Sequence, residues 1–205
     1  MKPYYQDSAV TIYNADNREV LPLLDKFDIV LTDPPYGLNK KIHDGGTWAT
    51  AKKYDATLDW DFKIEKSDID KIIKLSKYQI IWGGNYYTDI LPVTRCWLVW
   101  VKPHFPTMSE VDLAWTNFDR PAKVYHCPRV NPSTHPTEKP LRLMKWVLQN
   151  YTEQKNNILD PFMGSGTTLR AAKDLNMKAT GIEISEKYCE IAANRMCQEV
   201  LELKP

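Results

Sequence analysis

Residues 156–184 run strand, glycine turn, helix, strand in immediate succession, and that order constrains the fold more than any other feature. The apolar run 156–159 leads into Asp160-Pro161-Phe162-Met163-Gly164-Ser165-Gly166. Helical periodicity follows over 167–175, and a second apolar run occupies 179–184. Strands joined through a helix lie parallel, because a parallel pair needs a long crossover. The alternation extends along the chain. Further strand-like runs fall at 10–13, 28–32, 79–82, 96–101, 111–115 and 122–125, with helical spacing at 67–77, 141–151 and 186–203. The runs 111–115 and 122–125 read as antiparallel neighbours. Residues 17–26 read as a short helix or turn-rich link broken by Pro22, and Ser67 is placed to cap the 67–77 helix with Asp70 at the capping-box position. Strands alternating with helices imply an α/β fold, a mostly parallel central sheet with helices on both faces. A chain of 205 residues suits one domain, 1–205.

Composition removes several classes of function. No apolar run reaches the roughly 18 residues of a membrane span. The start, Met1-Lys2-Pro3-Tyr4-Tyr5, lacks the apolar centre of a signal peptide, so a cytoplasmic location is expected. Cys96, Cys127, Cys189 and Cys197 show no paired spacing, and His43, His104, His126 and His135 add no metal-ligand pattern. Free thiols and no metal are expected. Net charge is only +1, so any nucleic-acid partner must be held by a local basic face.

Asp33-Pro34-Pro35-Tyr36 follows the apolar run 27–31 and precedes Gly37. A strand ended by Pro and Gly presents the next residues at the carboxyl edge of a sheet, where open α/β sheets bind ligands. The residue types suit one chemistry. An exocyclic amino group on a base is a poor nucleophile, because its lone pair is delocalised into the ring. A carboxylate (Asp33) and a carbonyl on a stiff backbone (Pro34) can each accept one of its hydrogens, turning the lone pair toward an electrophile. Tyr36 offers a face on which an extruded base can stack. A plain Asp-Pro-Pro turn with a packed tyrosine competes with this reading.

The unit around Gly164 and Gly166 has the plan of a nucleotide site. The glycines let the backbone turn tightly, and Glu183 at the end of the next strand stands where a carboxylate can accept from two ribose hydroxyls. The third glycine of the dinucleotide fingerprint is absent, and so is the lysine of a P-loop. A nucleoside with a small tail fits better than a triphosphate. A third segment, His135-Pro136-Thr137-Glu138-Lys139-Pro140, is held extended by its prolines. Its hydroxyl, carboxylate and ammonium could meet the amino-acid end of a zwitterionic cofactor. A solvated loop is the plain alternative.

Taken together, these segments resemble the S-adenosylmethionine-dependent DNA amino-methyltransferases, which act on adenine N6 or cytosine N4. Asp33 to Tyr36 matches their catalytic tetrapeptide, Asp160 to Gly166 their cofactor loop, and Gly181-Ile182-Glu183 the strand with the ribose-binding acid. His135 to Pro140 resembles the family's cofactor-side segment, and the order of the parts resembles its permuted β group. The resemblance implies a Rossmann-like methyltransferase fold. It implies Asp33, Pro34, Pro35 and Tyr36 as catalytic residues acting on a flipped base. It implies Asp16, Thr137, Lys139, Asp160, Phe162, Gly164, Gly166, Thr167 and Glu183 on S-adenosylmethionine. Asp16 would meet the adenine ring, and Thr137 and Lys139 the methionine end.

Double-stranded DNA is the implied partner, in site-specific modification of the restriction-modification kind, and association as a homodimer or with a partner subunit fits the family. Asp at the first tetrapeptide position favours adenine N6. Cytosine N4 is the alternative, and a non-catalytic nucleic-acid-binding subunit is the alternative of another class. Residues 37–62, with Gly45-Gly46 and few apolar side chains, read as a mobile substrate loop. Residues 102–134 read as a short target-recognition insertion, in which Lys102, His104, Arg120, Lys123 and Arg129 interleave with Trp115, Phe118 and Tyr125.

Overall fold

The computed structural model describes residues 1–37, 64–102, 109–129, 138–153 and 155–198. The substrate-loop reading of 37–62 therefore lies almost wholly outside the described residues, as does Thr137. Among the described residues nine strands form one sheet: β1 (Tyr5–Gln6), β2 (Val10–Asn14), β3 (Phe27–Thr32), β4 (Ser76–Trp82), β5 (Trp97–Val101), β6 (Val111–Thr116), β7 (Lys123–His126), β8 (Asn157–Asp160) and β9 (Lys178–Glu183). Their spatial order is β1-β2-β9-β8-β3-β4-β6-β5-β7. Neighbours from β2 to β4 are parallel. Only β1 and β6 run against the rest.

The helices are α1 (Asn17–Val20), α2 (Lys66–Lys74), α3 (Leu141–Tyr151), α4 (Thr167–Asp174) and α5 (Glu186–Cys197). They cover both faces. One core packs Ile12, Ile29, Leu31, Ile80 and Trp82 against Leu143, Val147, Leu169 and Ala192 of α3, α4 and α5. The other packs Val30, Ile81, Leu159 and Ile182 against Val20 of α1 and Ile69 and Ile72 of α2. The period-two alternation Ile29, Val30, Leu31 feeds both cores, which is why the run reads as continuously apolar.

Three expectations change. The strands β6 and β7 are not neighbours; both flank β5, β6 antiparallel and β7 parallel. β6 is taken on both sides, by β4 and β5, so β7, with mostly exposed residues, pairs with the free side of the apolar β5 and is left at the sheet edge. Ser67 does not cap α2. Glu65 holds the cap position without a side-chain bond, and Asp70 accepts from Lys66 at 2.9 Å instead. The helix also ends at Lys74, because from Ser76 onward the chain is paired with β3, Phe27 opposite Ser76.

This topology positions the site. From β3 the chain moves on to β4 on one side, and from β8 to β9 on the other. The boundary between β3 and β8 is a topological switch point, where a crevice opens at the carboxyl ends of the strands. Asp33 directly follows β3, and Asp160 is the last residue of β8.

Candidate active site

Along the carboxyl edge of the sheet, the ends of β2, β9, β8, β3 and β4 bring Asp16, Glu183, Asp160, Asp33 and Gly83 into one row. At the switch point Thr32 Oγ1 donates to Asp160 Oδ1 at 2.8 Å, tying β3 to β8. Asp160 Oδ1 also accepts from Phe162 N at 3.2 Å, which starts the turn toward the glycines. Burial pushes the Asp160 carboxyl up to about 6; its hydrogen bonds from Thr168, Thr32 and Phe162 oppose this, and the nearby Asp33 charge adds to it.

Asp33 is bonded at both oxygens. Oδ1 accepts from the Tyr36 hydroxyl, and Lys139 Nζ lies 2.5 Å from Oδ2. The lysine and aspartate side chains are 6% and 18% exposed. Burial, then the Asp33 charge, lifts the Tyr36 hydroxyl well above its ordinary range, so it stays protonated and donates. The tetrapeptide is clasped from β4: Tyr87 donates its hydroxyl to Pro35 O, and Tyr86 stacks on Tyr36 with centroids 4.7 Å apart. Tyr86 is itself partly exposed.

Gly83 makes that clasp feasible. It sits at φ +68°, and a Cβ there would lie 2.0 Å from Tyr36 Cε1. Gly83→Ala should therefore force Tyr36 off Asp33. The expected cost is about 2–4 kcal/mol, combining left-handed strain with overpacking. A thermal melt checks the stability loss. Unchanged stability would mean that the Tyr36 ring is free to move aside.

The second half of the site is built on β8, α4 and β9. Glu183 Oε2 accepts from Gly164 N at 3.1 Å and Oε1 from Ser185 N at 2.8 Å. Burial raises its carboxyl above the usual value, and these backbone bonds oppose the rise. Gly166, at φ +79°, opens α4, and a Cβ there would meet Ala192 Cβ at 2.7 Å, so the loop lies tight on α5. Asp16 caps α1, accepting from Arg18 N at 2.8 Å, and Asn14 lies opposite Glu183 in the ladder. Asn17 Nδ2 reaches Pro161 O at 3.4 Å and joins the Asp16 turn to the loop after β8. The Thr167 hydroxyl is taken by Arg195 Nη1 at 2.7 Å, and Arg195 Nη2 lies 2.7 Å from Glu138 Oε1.

Sequence reasoning assigned no role to Gly83, Tyr86, Tyr87 or Arg195, and it offered the Glu138 carboxylate to the cofactor, where the fold pairs it with Arg195. The Gly83-Gly84-Asn85-Tyr86-Tyr87 run at a strand end was the only visible signal for the first three. Conversely, part of the supposed DNA-facing patch turns inward. Lys102 is buried with Nζ 2.5 Å from Asp112, whereas Arg120 and Lys123 stay exposed and Arg120 donates to Asn150 O at 3.0 Å. Trp115 and Phe118 belong to the cores, and Tyr125 stacks on Trp146. Among the described residues no group of three His, Cys, Asp or Glu could hold a metal ion, and no helix is long and apolar enough to cross a membrane.

The chain is similar to known proteins in sequence and in fold. The type II methyltransferase M2.LlaDCHI of Lactococcus lactis subsp. cremoris is 25% identical, over 95% of this chain and 92% of its own. M.HindIII of Haemophilus influenzae is 47% identical over 62 residues, 30% of this chain and 20% of its own. Among solved structures, the M1.HpyAVI–SAM complex superposes with a TM-score of 0.68 at 23% identity, covering 91% of this chain and 99% of that one. The PvuII DNA methyltransferase (cytosine-N4-specific) superposes at 0.71 with 17% identity, covering 98% and 91%. The family model for the N6/N4 DNA methylases matches residues 63–194, well over half of the sequence, and the chain belongs to that family of DNA methylases.

Proposed function

We propose that this protein transfers a methyl group from S-adenosylmethionine to the N6 amino group of adenine in double-stranded DNA, acting on a base rotated out of the helix. The observation that carries this reading is Asp33. Its carboxylate stands at the switch point, charge-paired and bonded to Tyr36, beside the loop of Gly164 and Gly166.

The residues fit the cofactor. Glu183 is a half-buried carboxylate whose protein partners in the site are backbone N–H groups, which leaves lone pairs for vicinal hydroxyls. Asp16 and Phe162 flank it on either side along the edge, toward an adenine ring, and Asp160, Gly164, Gly166 and Thr167 form the turn beneath. Thr137 belongs to the methionine end in the same scheme. When bound, S-adenosylmethionine supplies a methyl group on a sulfonium, which departs as a neutral thioether.

The chain's own part is positioning and electrostatics. Asp33 and the Pro34 carbonyl accept the two amino hydrogens and direct the nitrogen lone pair. The Asp33 charge offsets the positive charge that arrives on nitrogen as the N–C bond forms and the C–S bond breaks. The extra amino proton then leaves through Asp33 toward solvent. Tyr36 holds the base, with Tyr86 backing its ring. No nucleophilic side chain is required.

Incubation with S-adenosylmethionine and unmethylated bacterial DNA, then digestion to nucleosides and mass spectrometry, tests the reading. N6-methyladenine is the expected product. N4-methylcytosine alone would keep the mechanism and overturn the base.

A further inference from the structure

We propose that Lys139 is a positioning residue for the catalytic carboxylate, its ammonium pairing with Asp33 and keeping it turned toward the target amino group. The inference rests on the role of Asp33 given above and goes beyond it. On sequence alone the Lys139 ammonium was expected at the methionine end of the cofactor. The fold instead seats it 2.5 Å from Asp33 Oδ2, with both side chains largely buried.

A carboxylate held there has Asp160, a second carboxyl, close at hand. Without the ammonium one of its two oxygens would lose the partner that fixes its direction, and a carboxylate turned away offers the amino group no acceptor. Tyr36 on one oxygen and Lys139 on the other fix the plane of the carboxylate. An ionised carboxylate has about four lone-pair positions, so two remain for the substrate.

Lys139 is itself held. Its ammonium lies 5.7 Å from the centre of the Trp82 ring, packed against buried aromatic surface. Pro140 next to it caps α3. Glu138 before it grips Arg195 of α5, whose other nitrogen grips Thr167 at the start of α4. Segment 138–140 is thus pinned to the cofactor half of the site while its lysine reaches the base half. The lysine bridges the two without belonging to the cofactor set.

The test compares Lys139→Gln and Lys139→Arg with wild type, measuring kcat on DNA and, separately, S-adenosylmethionine affinity by calorimetry. Lys139→Gln should lower kcat roughly 10²-fold, the scale of a misplaced catalytic group, with cofactor affinity unchanged. Lys139→Arg keeps the charge and should recover most of the rate; it also serves as the folding control in thermal melts. Cofactor affinity lost in step with activity would overturn the proposal and return Lys139 to the methionine end. An undiminished kcat in Lys139→Gln would overturn it as well, as would wild-type cofactor affinity paired with equal rates in all three proteins. Wild type that methylates neither amino group would instead bring down the reading of Asp33 itself.

Discussion

Asp33→Ala should abolish methyl transfer while S-adenosylmethionine still binds. At the switch point the carboxylate pairs its charge with Lys139 and accepts from the Tyr36 hydroxyl. Its loss removes both the acceptor for the amino hydrogen and the charge that offsets the forming cation. Removal of one such electrostatic element costs on the order of 10²–10³ in rate, and loss of a proton acceptor adds to it. The expected fall is therefore about 10³-fold or more. The proposed cofactor contacts lie one to three strands away, on β8, β9 and β2, so calorimetry should give nearly wild-type affinity. The alanine variant has a second defect. It strands the Lys139 ammonium, 6% exposed, without its partner. Breaking a buried pair from one side typically destabilises by about 3–5 kcal/mol. Asp33→Asn keeps the volume and one acceptor and should fold better while remaining nearly inactive. Cofactor affinity lost together with activity in Asp33→Asn would contradict the assignment.

Glu183→Ala shows the opposite pattern. The carboxylate bridges Gly164 N and Ser185 N at the end of β9, where the proposed function seats the ribose. Hydrogen bonds to a charged group contribute about 1.5–3 kcal/mol each. Loss of its bonds to a ribose should weaken S-adenosylmethionine binding by roughly 10²-fold. The base side of the site is untouched, so kcat at saturating cofactor should change little. Calorimetry gives the affinity, and a cofactor titration of the rate gives the rest. A variant with normal affinity and a collapsed kcat would place Glu183 in the chemistry instead. The two substitutions together divide the site into a base half and a cofactor half.

Part of this protein was determined by its sequence alone. Local pattern fixed the elements: apolar runs stopped by Pro or Gly became β3, β4, β5 and β8, and the spacing of Met144, Val147, Leu148 and Tyr151 became α3 at its expected ends. Turn chemistry is local too, so Asp33-Pro34-Pro35-Tyr36 and Gly164-Ser165-Gly166 were legible as candidate sites before any contact was known. The pairing of strands was not. Whether β7 joins β6 or β5 depends on which of them already has both sides taken, a choice between strands far apart in sequence.

The electrostatics of the site were likewise decided only by the tertiary structure. Lys139 and Asp33 stand 106 positions apart, and Thr32 and Asp160 stand 128 apart. Whether an ammonium meets a carboxylate, a cofactor or solvent depends on where the sheet edge and the α3 entrance come together. The same holds for Lys102 and Arg120. As letters they were a basic patch, and the fold engaged them with Asp112 and Asn150. A side chain's type states what it can bond, whereas burial and the nearest partner, set by packing across the whole chain, decide what it does bond.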